Sequence, residues 1–255
     1  MPSFRFLAPA LFALALCGAP LYASAQSFSD IQRSDIESIV RNYLIAHPEV
    51  LEEAMAELTK RQTAAESAKQ QASVAENANA IFNSPRGVTL GNRDGDVSFV
   101  EFFDYNCGYC KRAMSDMLDL MKADPKLKVV LKEFPVLGQG SVEAAQVAVA
   151  VRMQDPTGKK YLDFHQKLLG GRGTADKARA MAAAKEAGLD IARIEKDLAN
   201  PEVKATIEEN FKLAESMGMN GTPSYVIGKQ IVIGAVGMDN LKEKIGVARC
   251  GRATC

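Results

Sequence analysis

Ile36, Ile39, Val40, Tyr43 and Leu44 fall at i, i+3, i+4, i+7 and i+8, which lays one apolar stripe along an amphipathic helix. Ser34 and Glu37 have capping-box spacing, so the helix is predicted to start there, with Ser34 accepting from first-turn amides and Glu37 reaching back. His47-Pro48 breaks it, and Pro48 suits the first turn of a second helix. That second helix carries its own stripe: Val50, Leu51, Ala54, Met55 and Leu58. From 59 to 80 the pattern fades, and Val74 is the only large aliphatic residue among alanine, glutamine, lysine and glutamate. Such a segment is helical by propensity but has little to bury. The two stripes are too small for a core of their own, since ~40 residues is about the lower limit without cross-links or association. Self-association is the economical solution; folding back on the rest of the chain is the alternative.

Asn83-Ser84-Pro85-Arg86-Gly87 reads as a boundary. Beyond it the hydrophobic pattern predicts a short strand at 88–90, a turn at 92–95 and a strand at 97–103. A helix over 107–121 and a buried-type strand over 129–134 follow, which makes a βαβ unit. Residues 141–218 are almost wholly helical in pattern, punctuated by Gly170-Gly171, Gly188 and Asn200-Pro201, with Asp190 and Asn200 as N-caps. Segments 224–227 and 230–233 flank Gly228-Lys229, a two-residue hairpin signal with glycine first. A last helix starts near Asp239. The fold class is α/β.

Composition narrows the function. At 255 residues, 47% hydrophobic and 24% charged, the chain has a globular make-up and room for a real core. Lysine plus arginine (31) equals aspartate plus glutamate (31), which removes the electrostatic case for a nucleic-acid binder. The one long apolar run is at the N-terminus: Arg5, an apolar block over 6–16, then Ala23-Ser24-Ala25. This is the layout of a secretory signal peptide over 1–25, cleaved after Ala25. Leu16 before Cys17 is too bulky for a lipoprotein site. Cleavage leaves four cysteines, Cys107, Cys110, Cys250 and Cys255, an even number that suits an oxidising compartment.

The strongest chemical signal is Cys107-Gly108-Tyr109-Cys110, directly after a hydrophobic strand and at the start of a helix. Two intervening residues let the sulfurs bond across one turn. The first cysteine faces unpaired amides and the positive end of the helix dipole, which favours thiolate and makes Cys107 the attacking sulfur. Cys110, one turn in, is the resolving thiol. A structural disulfide, and a zinc or copper site built from all four cysteines, are the alternatives.

Phe102-Phe103-Asp104-Tyr105-Asn106-Cys107-Gly108-Tyr109-Cys110-Lys111 resembles the active-site segment of the exported DsbA/DsbC-type thiol–disulfide oxidoreductases. Gly221-Thr222-Pro223-Ser224-Tyr225 resembles their cis-proline loop, and the helical block at 141–218 matches the insertion of the DsbA subgroup. The resemblance implies a thioredoxin fold over 85–255 with a helical insertion. It also implies that 26–84 is a helical oligomerisation arm and linker like that of ScsC/Com1-like members, with a trimer favoured. It makes Pro223 cis, with Thr222 before it, the backbone there pairing with an extended client. Glu101 becomes the buried acid that moves a proton off Cys110; an edge-facing strand glutamate is the other reading. Gly108-Tyr109 is like the spacer of the isomerase DsbC, whereas the strong oxidase carries Pro-His, so a weaker oxidant is implied.

The function this implies is a periplasmic protein disulfide isomerase or reductase, homo-oligomeric, without a cofactor or resident metal. It would act on client proteins with non-native disulfides and be recycled by a membrane reductase. A monomeric dithiol oxidase is the rival within the class, and a copper-binding envelope thiol protein the rival outside it, ScsC-like proteins being associated with copper tolerance. Cys250 and Cys255 read as a structural staple of the tail, with a second redox relay or a metal-ligand pair as alternatives. Lys132 and Glu133 suggest a charged pair near the site. His47 reads as a helix-end residue, and neither it nor His165 is given a catalytic role. Tyr161, Phe164 and the ten scattered methionines read as packing.

Overall fold

A computed structural model describes residues 28–255, so the expected signal peptide and Cys17 lie outside the described residues. The chain divides into two compact units at Thr59 and Lys60.

The first unit holds α1 (Asp30–Ala46) and the opening of α2 (Glu49–Glu76). The helix starts before the predicted cap. Ser29 is the N-cap, accepting from Gln32 N at 3.3 Å, while Gln32 Oε1 accepts from Ser29 N at 2.9 Å. Ser29 and Gln32 have the same spacing as Ser34 and Glu37, and starting at Ser29 adds more than a turn of backbone bonding, so Ser34 ends up inside the helix. His47 caps the C-terminus through its amide to Tyr43 O. Among the described residues α1 buries none. Ile36, Ile39, Val40, Tyr43, Leu51, Met55 and Leu58 are all exposed.

In the second unit α2 continues without a break to Glu76, and α3 (Ala78–Phe82) follows. Val74 and Ile81 are buried with Leu213, Ala214 and Met217, and Ser73 Oγ donates to Ser216 O at 2.8 Å. The stretch from Lys60 to Ser84, expected to belong to the arm and linker, therefore belongs with the sheet-bearing unit. Two large aliphatic side chains anchor it.

The sheet runs β1-β3-β2-β4-β5, from β1 (Val88–Gly91), β2 (Val97–Phe103), β3 (Leu127–Glu133), β4 (Ser224–Ile227) and β5 (Gln230–Ile233). β2 and β3 are parallel, joined through α4 (Gly108–Ala123); the other pairings are antiparallel. Strand alternation sends Phe99, Phe103, Val129, Leu131, Tyr225 and Ile227 to one face, against α4 and the last helix. Val100, Phe102, Val130 and Val226 go to the other face. Gly228, at φ +59°, opens the β4–β5 turn as the hairpin signal required.

Between β3 and β4 lie α5 (Gln139–Gln154), α6 (Lys159–Gly170), α7 (Lys177–Glu186), α8 (Ile191–Asp197) and α9 (Pro201–Ser216). Asp190 and Asn200 cap α8 and α9 as their sequence positions indicate. Lys132 and Glu133 do not pair. As strand neighbours they point to opposite faces: Lys132 Nζ lies 3.5 Å from Asn210 Oδ1 and 3.9 Å from Glu209, while Glu133 accepts from the Tyr161 hydroxyl at 2.6 Å. Finally, α10 (Met238–Cys250) ends in a tail that folds back over Gly246, where the missing Cβ makes room for the Ala253 and Arg252 carbonyls. No helix among the described residues is long and apolar enough to cross a membrane.

Candidate active site

The turn from β2 into α4 is fixed by two side chains. The buried Asp104 carboxylate accepts from Asn106 N at 2.7 Å, Ser141 Oγ at 2.7 Å and Leu137 N at 2.9 Å. Asn106 pairs with Ala175 as another backbone would: Oδ1 accepts from Ala175 N at 2.7 Å, and Nδ2 donates to Ala175 O at 2.9 Å. Nδ2 also donates to Ser141 Oγ at 2.9 Å. The active-site turn is thus tied to the helical insertion at two places. Sequence reasoning assigned no role to Asp104, Asn106 or Ser141; two Asx residues between a strand and a helix were the available signal.

Cys107 is the N-cap of α4, and its sulfur accepts from Cys110 N at 3.3 Å. Its pKa is lowered to about 5. The main cause is the hydrogen bond from the Cys110 thiol; the Thr222 side chain and the amides of Cys110 and Tyr109 add to it, against the opposing effect of burial. Hydrogen bonds to the charged form, at the positive end of a helix, are what stabilise a thiolate. Cys110 is fully buried, and its pKa is pushed far up by its hydrogen bond to Cys107, by burial and by Glu101. The pair therefore divides the work at neutral pH: Cys107 is charged and Cys110 keeps its proton. Neither is bonded to another cysteine.

Thr222-Pro223 is a cis peptide, and the Thr222 carbonyl lies 3.2 Å from Cys107 Sγ. Glu101 lies in β2 between β3 and β4, in the middle of the sheet and 3% exposed, so the edge-facing reading fails. Burial, then the charge on Cys107, then Asp116 raise its pKa to about 8. Gly108 has open space where a Cβ would stand, and Tyr109 is exposed under Arg112, whose guanidinium sits 4.4 Å from the ring centroid. Tyr109, Val136 and Leu137 are exposed apolar side chains on segments bordering the cysteine turn.

Cys250 and Cys255 are bonded to each other. Arg249 donates to Asp124, the C-cap of α4, at 2.7 Å, whereas Cys107 caps the other end. Sixteen residues of helix separate those ends, roughly 24 Å. The four cysteines are not brought together, which disposes of a shared zinc or copper site and of an intramolecular relay. A thiophilic ion would find two sulfurs, those of Cys107 and Cys110. His165 is buried against Phe103 and Tyr105, and burial lowers its pKa to about 3.

A central β2–α4–β3 unit, a two-cysteine helix N-terminus and a cis-proline loop against the first sulfur together define a thioredoxin fold. Residues 99–246 match the DSBA-like thioredoxin domain, and the chain belongs to that family. Residues 32–65 match the ScsC N-terminal domain, described for a copper resistance protein. Among solved structures, a thioredoxin-like oxidoreductase from Silicibacter pomeroyi is 43% identical, covers 67% of this chain and 96% of its own, and has a TM-score of 0.64. Proteus mirabilis ScsC in a transitional conformation is 30% identical over 88% of this chain and 97% of its own, with a TM-score of 0.64. Disulfide bond formation protein D of Bacillus subtilis is 26% identical over 61% of this chain and 74% of its own. The chain also spans about a quarter of the length of the curated relatives Na(+)/H(+) antiporter NhaA 1 of Salinispora arenicola (24% of it) and NhaA of Herminiimonas arsenicoxydans (26% of it).

Proposed function

We propose that this protein is a periplasmic thiol–disulfide oxidoreductase that works in its reduced form, as a homo-oligomer, to isomerise or reduce non-native disulfides in client proteins. The observation that carries the reading is the placement of the pair, Cys107 capping α4 with its sulfur accepting from Cys110 N, and Cys110 buried one turn in. Cys107 Sγ attacks a client disulfide, forming a mixed disulfide while the other client sulfur leaves as thiolate. A client thiolate then displaces Cys107, which completes isomerisation, or Cys110 does so, which completes reduction. The Thr222-Pro223 backbone holds the client strand beside the sulfur, and exposed Tyr109, Val136 and Leu137 offer it apolar contacts. Glu101 accepts the Cys110 proton. Once Cys107 is in a mixed disulfide its charge is gone, one cause raising the Glu101 pKa disappears, and the carboxylate becomes available as base when the resolving step needs it.

A Cys107 pKa of about 5 sits between ~7 for thioredoxin and ~3.5 for DsbA, which supports a weaker oxidant than the latter. The uncovered stripes of α1 and early α2 support self-association through the N-terminal part of the segment expected as the arm, up to Thr59, with a trimer favoured by resemblance; several sites around one client raise the effective concentration. The signal-peptide pattern at 1–25 and the Cys250–Cys255 disulfide support an oxidising compartment, where a membrane reductase would recycle the pair.

The test uses the chain from Gln26 onward, reduced, on a scrambled enzyme with several disulfides, beside an Ile39→Asp/Tyr43→Asp variant. The expected result is a trimer that recovers activity, and a monomeric variant that still reduces a simple disulfide peptide but recovers far less. No recovery by the parent chain, with brisk oxidation of a dithiol peptide, would make it a dithiol oxidase. Stoichiometric Cu(I) binding that blocks alkylation of Cys107, with neither exchange activity, would make it a copper-binding protein.

A further inference from the structure

Tyr225 lies in β4, two residues beyond Pro223, and the sheet register sets it directly opposite Glu101. Cross-strand partners share a face, so the phenol and the carboxyl both lie under α4, on the side that holds Cys110. The ring packs on Phe99 with centroids 5.1 Å apart. The hydroxyl is buried and has no hydrogen-bond partner. Three other buried side-chain atoms among the described residues share that condition, on Glu133, Arg152 and Asp197, but Glu133 and Arg152 make other side-chain hydrogen bonds, and Asp197 Oδ2 lies 3.4 Å from Arg193 Nε. Tyr225 has one polar atom, and it is unused. A phenylalanine would fill the same apolar space without desolvating a hydroxyl, so packing gives no reason for the oxygen.

We propose that Tyr225 is a positioning residue for proton transfer from Cys110, its hydroxyl donating to the Glu101 carboxylate, directly or through one water, when that carboxylate is ionised. The inference rests on the reading of Glu101 as the base. In the reduced protein the Cys107 charge helps keep Glu101 protonated, and the phenol then faces no anion. In the mixed disulfide Cys107 is uncharged, Glu101 ionises, and the phenol has an acceptor. The Cys110 S–H proton passes to the carboxylate. The Cys110 thiolate attacks Cys107 Sγ, the bond from Cys107 to the client breaks, and its electron pair leaves on the client sulfur, which takes a proton from solvent. Glu101 then returns its proton to solvent. The titratable groups facing Glu101 are Cys107, Cys110 and Asp116 from α4 and Tyr225 from β4. Its β3 partner is Leu131, Lys132 points to the opposite face, and α10 buries only Leu241, Ile245 and Gly246.

The test prepares a mixed disulfide between Cys107 and a fluorescent peptide thiol in the chain from Gln26 onward, and follows peptide release by Cys110 from pH 5 to 10. Parent, Tyr225→Phe, Glu101→Gln and the double variant are compared. Tyr225→Phe is expected to slow release about tenfold at pH 7, the loss of one charge-assisted hydrogen bond. It should also move the pH midpoint up by about one unit, so that rates converge near pH 10, and leave thermal stability equal or higher. The double variant should match Glu101→Gln. A slow Glu101→Gln with a parental Tyr225→Phe overturns this inference and leaves the base in place. An unchanged Glu101→Gln overturns both. A further slowing by Tyr225→Phe in the Glu101→Gln background means that the hydroxyl acts elsewhere, and overturns the inference alone.

Discussion

The chain carries two cysteine pairs at opposite ends of helices, and the contrast shows how little the residue type decides. Cys107 caps the N-terminus of α4, where amides and the helix dipole stabilise a negative sulfur. Cys250 is the last residue of α10, where the same field opposes one. The first pair is buried and reduced under a tied-down turn; the second is exposed, bonded, and closes a tail over Gly246. One is poised to exchange, the other to hold.

The largest expected difference between the pairs is in alkylation. After complete reduction, Cys107 should label with iodoacetamide along a titration centred at about 5, well below an ordinary thiol at ~8.5. At pH 6 that is a preference of more than about a hundredfold in thiolate fraction. Cys107→Ser should abolish both the early phase and all exchange activity. The sign of the linked stability follows. An acid whose folded pKa is lowered stabilises the reduced fold above its unfolded pKa, ~8.5, and that stabilisation is lost as pH falls through about 5. A single labelling phase centred near 8.5 would erase the contrast.

Asn106→Ala narrows the gap by a smaller amount. It removes the hydrogen bonds to Ala175 N, Ala175 O and Ser141 Oγ, which should cost about 2 kcal/mol in denaturant unfolding. With the turn loosened, the thiolate loses part of its amide cradle, and the labelling midpoint should rise by about one unit toward that of an ordinary thiol. A stability loss with no movement of the midpoint would confine Asn106 to holding the insertion.

The βαβ unit, the hairpin and the caps of α8 and α9 were legible because each is a local pattern. The cysteine pair was legible because its spacing carries chemistry, whereas the Thr222-Pro223 loop was legible only through its resemblance to a family's cis-proline loop. What escaped depends on which surfaces meet. Ser29 and Ser34 offer equivalent cap spacings, and only the gain of extra helical turn decides between them. Val74 and Ile81 look isolated in sequence, yet α9 supplies them with a partner surface. Lys132 and Glu133 are adjacent in the chain and on opposite faces of the sheet, a consequence of strand alternation that the pairing idea overlooked. Tyr225 reads as an ordinary strand aromatic until the register places it opposite Glu101.

The smallest expected effect belongs to the staple itself. Cys250 and Cys255 are five residues apart, so the loop they close is short and the entropy it withholds from the unfolded chain amounts to about 2 kcal/mol at most. The end of α10 has other attachments. Arg249 donates to Asp96 at 2.7 Å and to Asp124 at 2.7 Å, on the domain side of the staple, and these bonds do not depend on the sulfurs. Cys250→Ser/Cys255→Ser should therefore lower stability by about 1–2 kcal/mol while leaving thiol exchange within about twofold of the parent, because the reacting sulfur stands at the far end of α4. The measurement is denaturant unfolding beside turnover of a disulfide peptide. A tenfold loss of turnover with the fold intact would mean that the two pairs communicate, and that position along the helix does not divide their roles.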